Sequence, residues 1–264
     1  MAKIFILTSN YLRHKYFVNN LKDSHKVVGV VSEIRTDFLK IDKDQSNTVV
    51  INHFKEREEK ELFYFGKDNS DFNIDTNLVV TLNYTEVNSP EIFELMKSQD
   101  PEYVILFGCS LIKEHLLSYY KKRIINLHLG LSPYYRGVAT NLWPLVNKEP
   151  QCVGATIHYA TVEVDGGDIL TQVRPDISTS DEVHDFGCKT IINASEAVSR
   201  TVTALKDDGI EAKKQVNGGK LFKAKDFNVE AVLRMKKNFK DGMVEEYLSK
   251  TEECDSNFPI VDNL

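Results

Sequence analysis

AKIFILTSNYLRHKYFVNNLKDSHKVVGVVS, residues 2–32, is the stretch that decides the fold. Its first eight residues form an apolar run that closes on Thr8 and Ser9, the pattern of a buried strand. The segment that follows, through Asp23, places Tyr16, Phe17 and Leu21 at helix-compatible spacing. Residues 25–32 (HKVVGVVS) are β-branched and apolar again, a second buried strand. Two strands apolar along their length, joined by a helix, favour a mostly parallel open sheet covered by helices on both faces. The turn between the first strand and the helix, Thr8-Ser9-Asn10-Tyr11-Leu12, has neither G-x-G-x-x-G nor G-x-x-x-x-G-K-[ST]. The α/β fold expected is therefore Rossmann-like without the dinucleotide fingerprint and without a phosphate-cradling P-loop.

Working outward, residues 34–75 are less regular, and the charge run 55–61 (KEREEKE) reads as a solvated helix. Alternation resumes at 78–83. A helix is expected over 90–98, a strand over 103–107, a helix over 113–120 and a strand over 123–129. A Pro/Tyr/Gly-rich loop at 131–137 leads to a helix over 141–147 and strands over 154–160 and 169–173. Residues 180–205 read as a long helix with Ser180 as N-cap and Glu182 and Val183 in its first turn. The pattern weakens after Asp207-Asp208-Gly209. The division expected is a main domain over 1–205 and a small C-terminal appendage over 206–264, including LFKAKDF at 221–227.

Hydrophobic residues at 42% and charged residues at 27% are ordinary globular values. A net charge of −6 gives no global basic field for nucleic acid. The N-terminus lacks a signal-peptide pattern and no run approaches the ~18 apolar residues of a membrane span, so a cytoplasmic protein with no membrane partner is expected. Cys109, Cys152, Cys188 and Cys254 form no C-x-x-C pair, which argues against a zinc knuckle or disulfide scaffold. No metal is expected.

The chemistry concentrates in residues 124–170, IINLHLGLSPYYRGVATNLWPLVNKEPQCVGATIHYATVEVDGGDIL. Asn126 and His128 are two apart near a strand end, which puts both side chains on one face. A carboxamide and an imidazole aimed at one point stabilise negative charge developing on a carbonyl oxygen. Asp165, in the turn Asp165-Gly166-Gly167, is the carboxylate that would raise the histidine pKa and take up an amine proton. N-x-H alone or D-G-G alone is weak. The order N-x-H, Ser-Pro-x-x-x-Gly, G-x-T-x-H, D-x-G-x-I is not. His158 reads first as a core hydrogen-bonding histidine, and Trp143 and Tyr134 first as packing.

In that order the motifs resemble the folate-dependent formyltransferases: glycinamide ribonucleotide, methionyl-tRNA and nucleotide-sugar N-formyltransferases. The resemblance runs from about Pro101 through Val173, and more loosely from the first strand to about Leu205. It implies 10-formyltetrahydrofolate as formyl donor, Asn126 and His128 as the carbonyl-polarising pair, and Asp165 as the proton-handling residue. It also implies that Leu106, Phe107, Gly108, Ser110, Leu111 and Ile112 line the pterin, with Thr161, Val162 and Val164 as the opposite wall. In the glycinamide ribonucleotide enzymes the first strand–helix turn holds substrate phosphate, which makes Ser9, Asn10, Arg13 and His14 acceptor-side candidates. Tyr135, Arg136 and Gly137, in step with the family's acceptor loop, are candidates too.

The amine acceptor expected is a nucleotide-linked amino sugar, of the kind used in surface polysaccharide and lipopolysaccharide biosynthesis, with a homodimer as the assembly to consider. Residues 206–264 carry 11 Lys/Arg against 12 Asp/Glu, unlike a basic tRNA-binding barrel. Purine-pathway enzymes usually end near the long helix. Two other classes are a formyltetrahydrofolate hydrolase, expected to carry an N-terminal regulatory domain, and a non-catalytic folate-binding protein, against which the joint presence of Asn126, His128 and Asp165 argues.

Overall fold

The computed structural model describes residues 1–35, 48–207, 209–215 and 219–264. Residues 36–47 of the irregular stretch, together with Asp208, lie outside it. The strands are β1 (Lys3–Ser9), β2 (Lys26–Ile34), β3 (Val79–Asn83), β4 (Tyr103–Leu106), β5 (Ile124–His128), β6 (Tyr135–Gly137), β7 (Ala155–Tyr159), β8 (Ile169–Val173) and β9 (Lys220–Phe222). Among the described residues, seven of them make one sheet in the order β3-β2-β1-β4-β5-β7-β8. The first five of that order run parallel; β7 and β8 are antiparallel additions. β6 and β9 form a separate parallel pair. The helices are α1 (Leu12–Lys22), α2 (Thr48–Phe65), α3 (Pro90–Gln99), α4 (Glu114–Tyr119), α5 (Trp143–Val146), α6 (Val183–Lys206), α7 (Val229–Lys240), α8 (Met243–Leu248) and α9 (Thr251–Ser256).

The continuous apolar run of β1 has a direct cause. Alternate side chains of a strand point to opposite faces. Ile4 and Ile6 pack with Phe17 and Leu21 of α1 and Val198 of α6. Phe5 and Leu7 pack with Ile92 and Met96 of α3 and Leu116 of α4. Both faces are dry over residues 4–7, so none of those positions tolerates a polar residue. Each such side chain contributes roughly 1.5–3 kcal/mol by leaving water.

A third apolar cluster joins Val50 of α2, Leu145 of α5 and Phe186 of α6 to Val232 and Met235 of α7 and Val244 of α8. Residues beyond 206 thus share a core with helices from the main domain, and β9 pairs with β6.

Two expectations need correction. α6 begins at Val183 with Glu182, not Ser180, as N-cap. The residues before it are used in a turn in which the Ser178 amide donates to Asp181 at 2.8 Å, and Asp185 then accepts the Glu182 amide at 2.8 Å. The charge run on α2 is not merely solvated. Glu61 is buried against Arg13 at 2.6 Å, Lys60 reaches Asp185 at 2.8 Å and Glu56 reaches Lys236 at 2.6 Å. A helix wedged between α1, α6 and α7 turns part of its charged surface inward, and pairing is what makes that burial tolerable.

Candidate active site

β1 is flanked by β2 on one side and β4 on the other, so the chain reverses direction of winding there, the place where open α/β sheets bind ligands. β5 follows β4, with Leu106 registered against Asn126. On its other edge, Asn126 is paired with His158 of β7 and His128 with Thr156. The Asn126 amide nitrogen donates to His158 Nε2 at 3.0 Å, while His158 Nδ1 lies 2.9 Å from the Tyr159 carbonyl. The carbonyl can only accept, so Nδ1 carries the proton and Nε2 is the acceptor. Burial pushes the His158 pKa down to about 4, which keeps the ring neutral in that role. The Asn126 carboxamide is thereby oriented, with its second N–H left available.

Asp165 arrives from the loop between β7 and β8 in a left-handed conformation, φ +51°. Its Oδ1 sits 3.4 Å from His128 Nδ1 and 3.9 Å from His158 Nε2. Its Oδ2 accepts the Gly137 amide at 3.1 Å. His128 Nε2 lies 3.2 Å from the Tyr135 carbonyl. Both ring nitrogens of His128 therefore face oxygens, an arrangement that an imidazole protonated on both nitrogens satisfies. The structure brings Asn126, His128 and Asp165 together and adds His158 between them.

The loop that carries Asp165 is held from two sides. Arg136 donates to Glu163 at 2.8 Å and to the Val164 carbonyl at 2.7 Å. Gln215 donates from one amide nitrogen to the Asp165 carbonyl at 2.9 Å and the Gly167 carbonyl at 2.6 Å. Gln215 is delivered by the backbone pairing of Lys213 with Ile169. Gly137 sits at φ +96°, and a Cβ there would run into the Phe222 carbonyl of β9, so a side chain is excluded where the amide must reach Asp165. Tyr135 contributes only its carbonyl. Its ring is buried and its hydroxyl bonds Glu149 and Asn147.

Among the residues expected to line the donor, Leu106, the last residue of β4, and Phe107 after it are buried. Gly108, at φ +74°, passes directly over the His14 ring, where a Cβ would collide. Ser110 is tied through its amide and hydroxyl to Glu33 at 2.6 and 2.8 Å. Leu111 and Val162 are each 72% exposed and Val164 39%, while Ile112 packs partly against the second core. Thr161 bonds the Glu163 carbonyl at 3.1 Å. Two loops near the trio thus present uncovered apolar side chains.

The acceptor-side candidates of the first turn are engaged with one another. Ser9 Oγ is 2.6 Å from His14 Nδ1, Asn10 accepts the Arg35 amide at 3.0 Å, and Arg13 pairs with Glu61. The His14 pKa is driven well down, first by burial and then by the Arg13, Arg35 and Arg57 guanidiniums around it. Trp143 stacks on Phe222 and Tyr134 donates to the Pro259 carbonyl, so both are packing residues here. Glu33 and Gln215 are the participants that the sequence reading missed. Glu33 had a signal, a carboxylate closing an otherwise apolar strand. Gln215 had none, because it lies where periodicity fades.

Residues 2–202 match the family model for formyl transferases. A methionyl-tRNA formyltransferase from Clostridium tetani is 34% identical over 130 residues, covering 47% of this chain and 40% of that enzyme. The chain thus spans less than half the length of this curated relative. A 4-N formyltransferase from Francisella tularensis superposes with a TM-score of 0.57 at 19% identity, covering 89% of this chain and 87% of the other. A phosphoribosylglycinamide formyltransferase from Anaplasma phagocytophilum gives 0.55 at 15% identity, covering 84% and 98%. At these identities the structural likeness is one of fold.

Proposed function

Because the chain belongs to the formyl transferase family, we propose that it transfers the formyl group of 10-formyltetrahydrofolate to the amine of a nucleotide-linked amino sugar. The observation that carries the transfer chemistry is the convergence of Asn126, His128 and Asp165 Oδ1 within one cluster, 3.4 Å separating His128 from the carboxylate. In this reading Asn126 donates its second N–H to the carbonyl oxygen as it becomes an oxyanion under attack by the neutral amine, and His128 adds a donor by turning its Nε2 from the Tyr135 carbonyl, 3.2 Å away, to the substrate. Asp165 takes the amine proton and returns it toward the leaving N10 nitrogen, with His128 held in orientation by the same carboxylate. His158 is a positioning residue that fixes the Asn126 amide. The exposed apolar Leu111 and Val162 suit the flat ring of a pterin.

For the acceptor, the Arg13, Arg35 and Arg57 guanidiniums all bear on His14 in the first strand–helix turn, a local positive field that suits an anionic substrate group such as a nucleotide phosphate. The balance of 11 basic against 12 acidic residues over 206–264 weighs against tRNA. The Clostridium tetani relative favours the second reading, an aminoacyl-tRNA amine. The deciding experiment is release of tetrahydrofolate from the formyl donor in the presence of amino-sugar nucleotides, initiator methionyl-tRNA or glycinamide ribonucleotide. Release dependent on the sugar nucleotide is expected. Release only with methionyl-tRNA transfers the assignment to the second reading, and release with no amine makes the protein a hydrolase.

A further inference from the structure

Away from the trio, where α2, α6 and α7 meet, lie His53, Glu56 and His184. His53 and Glu56 are three apart on α2, which puts an imidazole and a carboxylate on one helix face. His184 enters from the first turn of α6. One ligand atom from each lies within 4.8 Å of the others. His53 is fully buried, and neither of its ring nitrogens has a hydrogen-bond partner. His184 hydrogen-bonds the His53 backbone, and its Nε2 is buried with no partner. Three buried imidazole nitrogens facing no protein donor or acceptor are costly as they stand, since each forgoes a hydrogen bond it makes in water.

We propose that His53, His184 and Glu56 form a binding site for a divalent transition-metal ion of the zinc class, tying α2 to α6. Two imidazoles and one carboxylate are a donor set that zinc accepts, with a fourth position left for water. Zinc–ligand bonds of ~2 Å require the three donor atoms to draw closer by about an ångström, which the rotamers of Glu56 on its half-open surface allow. A neutral imidazole carries one lone pair, and in His184 the bond from the other ring nitrogen to the His53 backbone leaves it on Nε2. Lys236 is the competitor. Its ammonium occupies one Glu56 oxygen at 2.6 Å, but it is 38% exposed and can swing into water. Arg57 and Lys236 both bear on the His53 ring, so the surrounding field opposes a cation and sets the affinity below that of an isolated donor set.

The site is tested on the full chain without reference to turnover. Metal-stripped protein is titrated with cobalt(II), and the ligand-field absorption is followed along with the zinc retained after dialysis. One equivalent is expected, with a rise in unfolding temperature. His184→Gln and Glu56→Gln are expected to lose the absorption and the rise. Lys236→Gln is expected to tighten binding by roughly tenfold, because it removes a positive charge and frees the carboxylate. Glu56 and Lys236 lie at the surface, so these two variants report even where His184→Gln does not fold. Absence of cobalt uptake by the wild type, or an unchanged spectrum in Glu56→Gln, overturns the proposal.

Discussion

Glu33 at the end of β2 and Asp165 beyond β7 are both nearly buried carboxylates, yet their surroundings differ. Glu33 receives three short donations, from the Ser110 amide and hydroxyl and from the Thr85 amide at 2.7 Å. Asp165 has one backbone amide at 3.1 Å and two imidazoles at 3.4 and 3.9 Å. A carboxylate offers about four acceptor sites. Filled with short bonds from loops on two sides, it is a clamp; left with fewer and longer partners, it keeps acceptor sites open to a substrate donor. Saturation marks scaffold, and slack marks chemistry.

The strongest way to break that contrast is to remove the slack groups. Asn126→Ala and His128→Ala are each expected to lower kcat by roughly 10²–10³ while leaving the unfolding temperature near wild type. Near-normal turnover in either would end the assignment. Glu33→Gln is the opposite case. It is expected to destabilise the fold by about 1–3 kcal/mol in chemical denaturation, with turnover per folded molecule almost unchanged. A large kcat loss there would mean that Glu33 handles substrate.

Gln215→Ala sharpens the comparison, because it loosens the Asp165 loop without touching the carboxylate. A fall in kcat of roughly tenfold with little change in KM is expected, alongside a far larger loss in Asp165→Asn. Equal activity of Gln215→Ala and wild type would leave the loop held by Arg136 and Gly137 alone.

The contrast also bears on the pH dependence of stability. His53, His158 and His184 have folded-state pKa values pushed below the ordinary 6.5 by burial, to about 4, 4 and 3. Above pH 6.5 both folded and unfolded chains hold them neutral, and nothing is lost. As pH falls below 6.5 the unfolded chain takes up protons that the folded chain refuses, so stability declines until pH approaches the folded values. Denaturation midpoints of metal-stripped protein measured from pH 7.5 to 4.5 are expected to fall, and His158→Gln is expected to flatten the slope.

Much of this was legible in the residues themselves. The β1 and β2 runs carry the parallel sheet because both their faces are dry, and the two-residue spacing of Asn126 and His128 survives folding unchanged. What could not be read is whatever depends on distant partners. His158 looked like a core histidine and is buried like one, but its partner is the Asn126 amide, a relation set by antiparallel register rather than by spacing. The charged stretch of α2 gave no sign of which members turn inward, because that depends on α1 and α7. Gln215 reaches Asp165 across fifty positions of chain, and no local pattern announces it.

The pairing of β6 with β9 places Phe222 against Gly137, the residue whose amide grips Asp165, while Gln215 spans the two carbonyls beside it. A fragment ending with α6 would retain the Asn126, His128 and Asp165 side chains and still lack β9 and the Gln215 carboxamide that brace the Asp165 loop. The brace on the Asp165 loop thus comes from beyond the last long helix, and pressure on the 220–222 segment would be transmitted to that carboxylate.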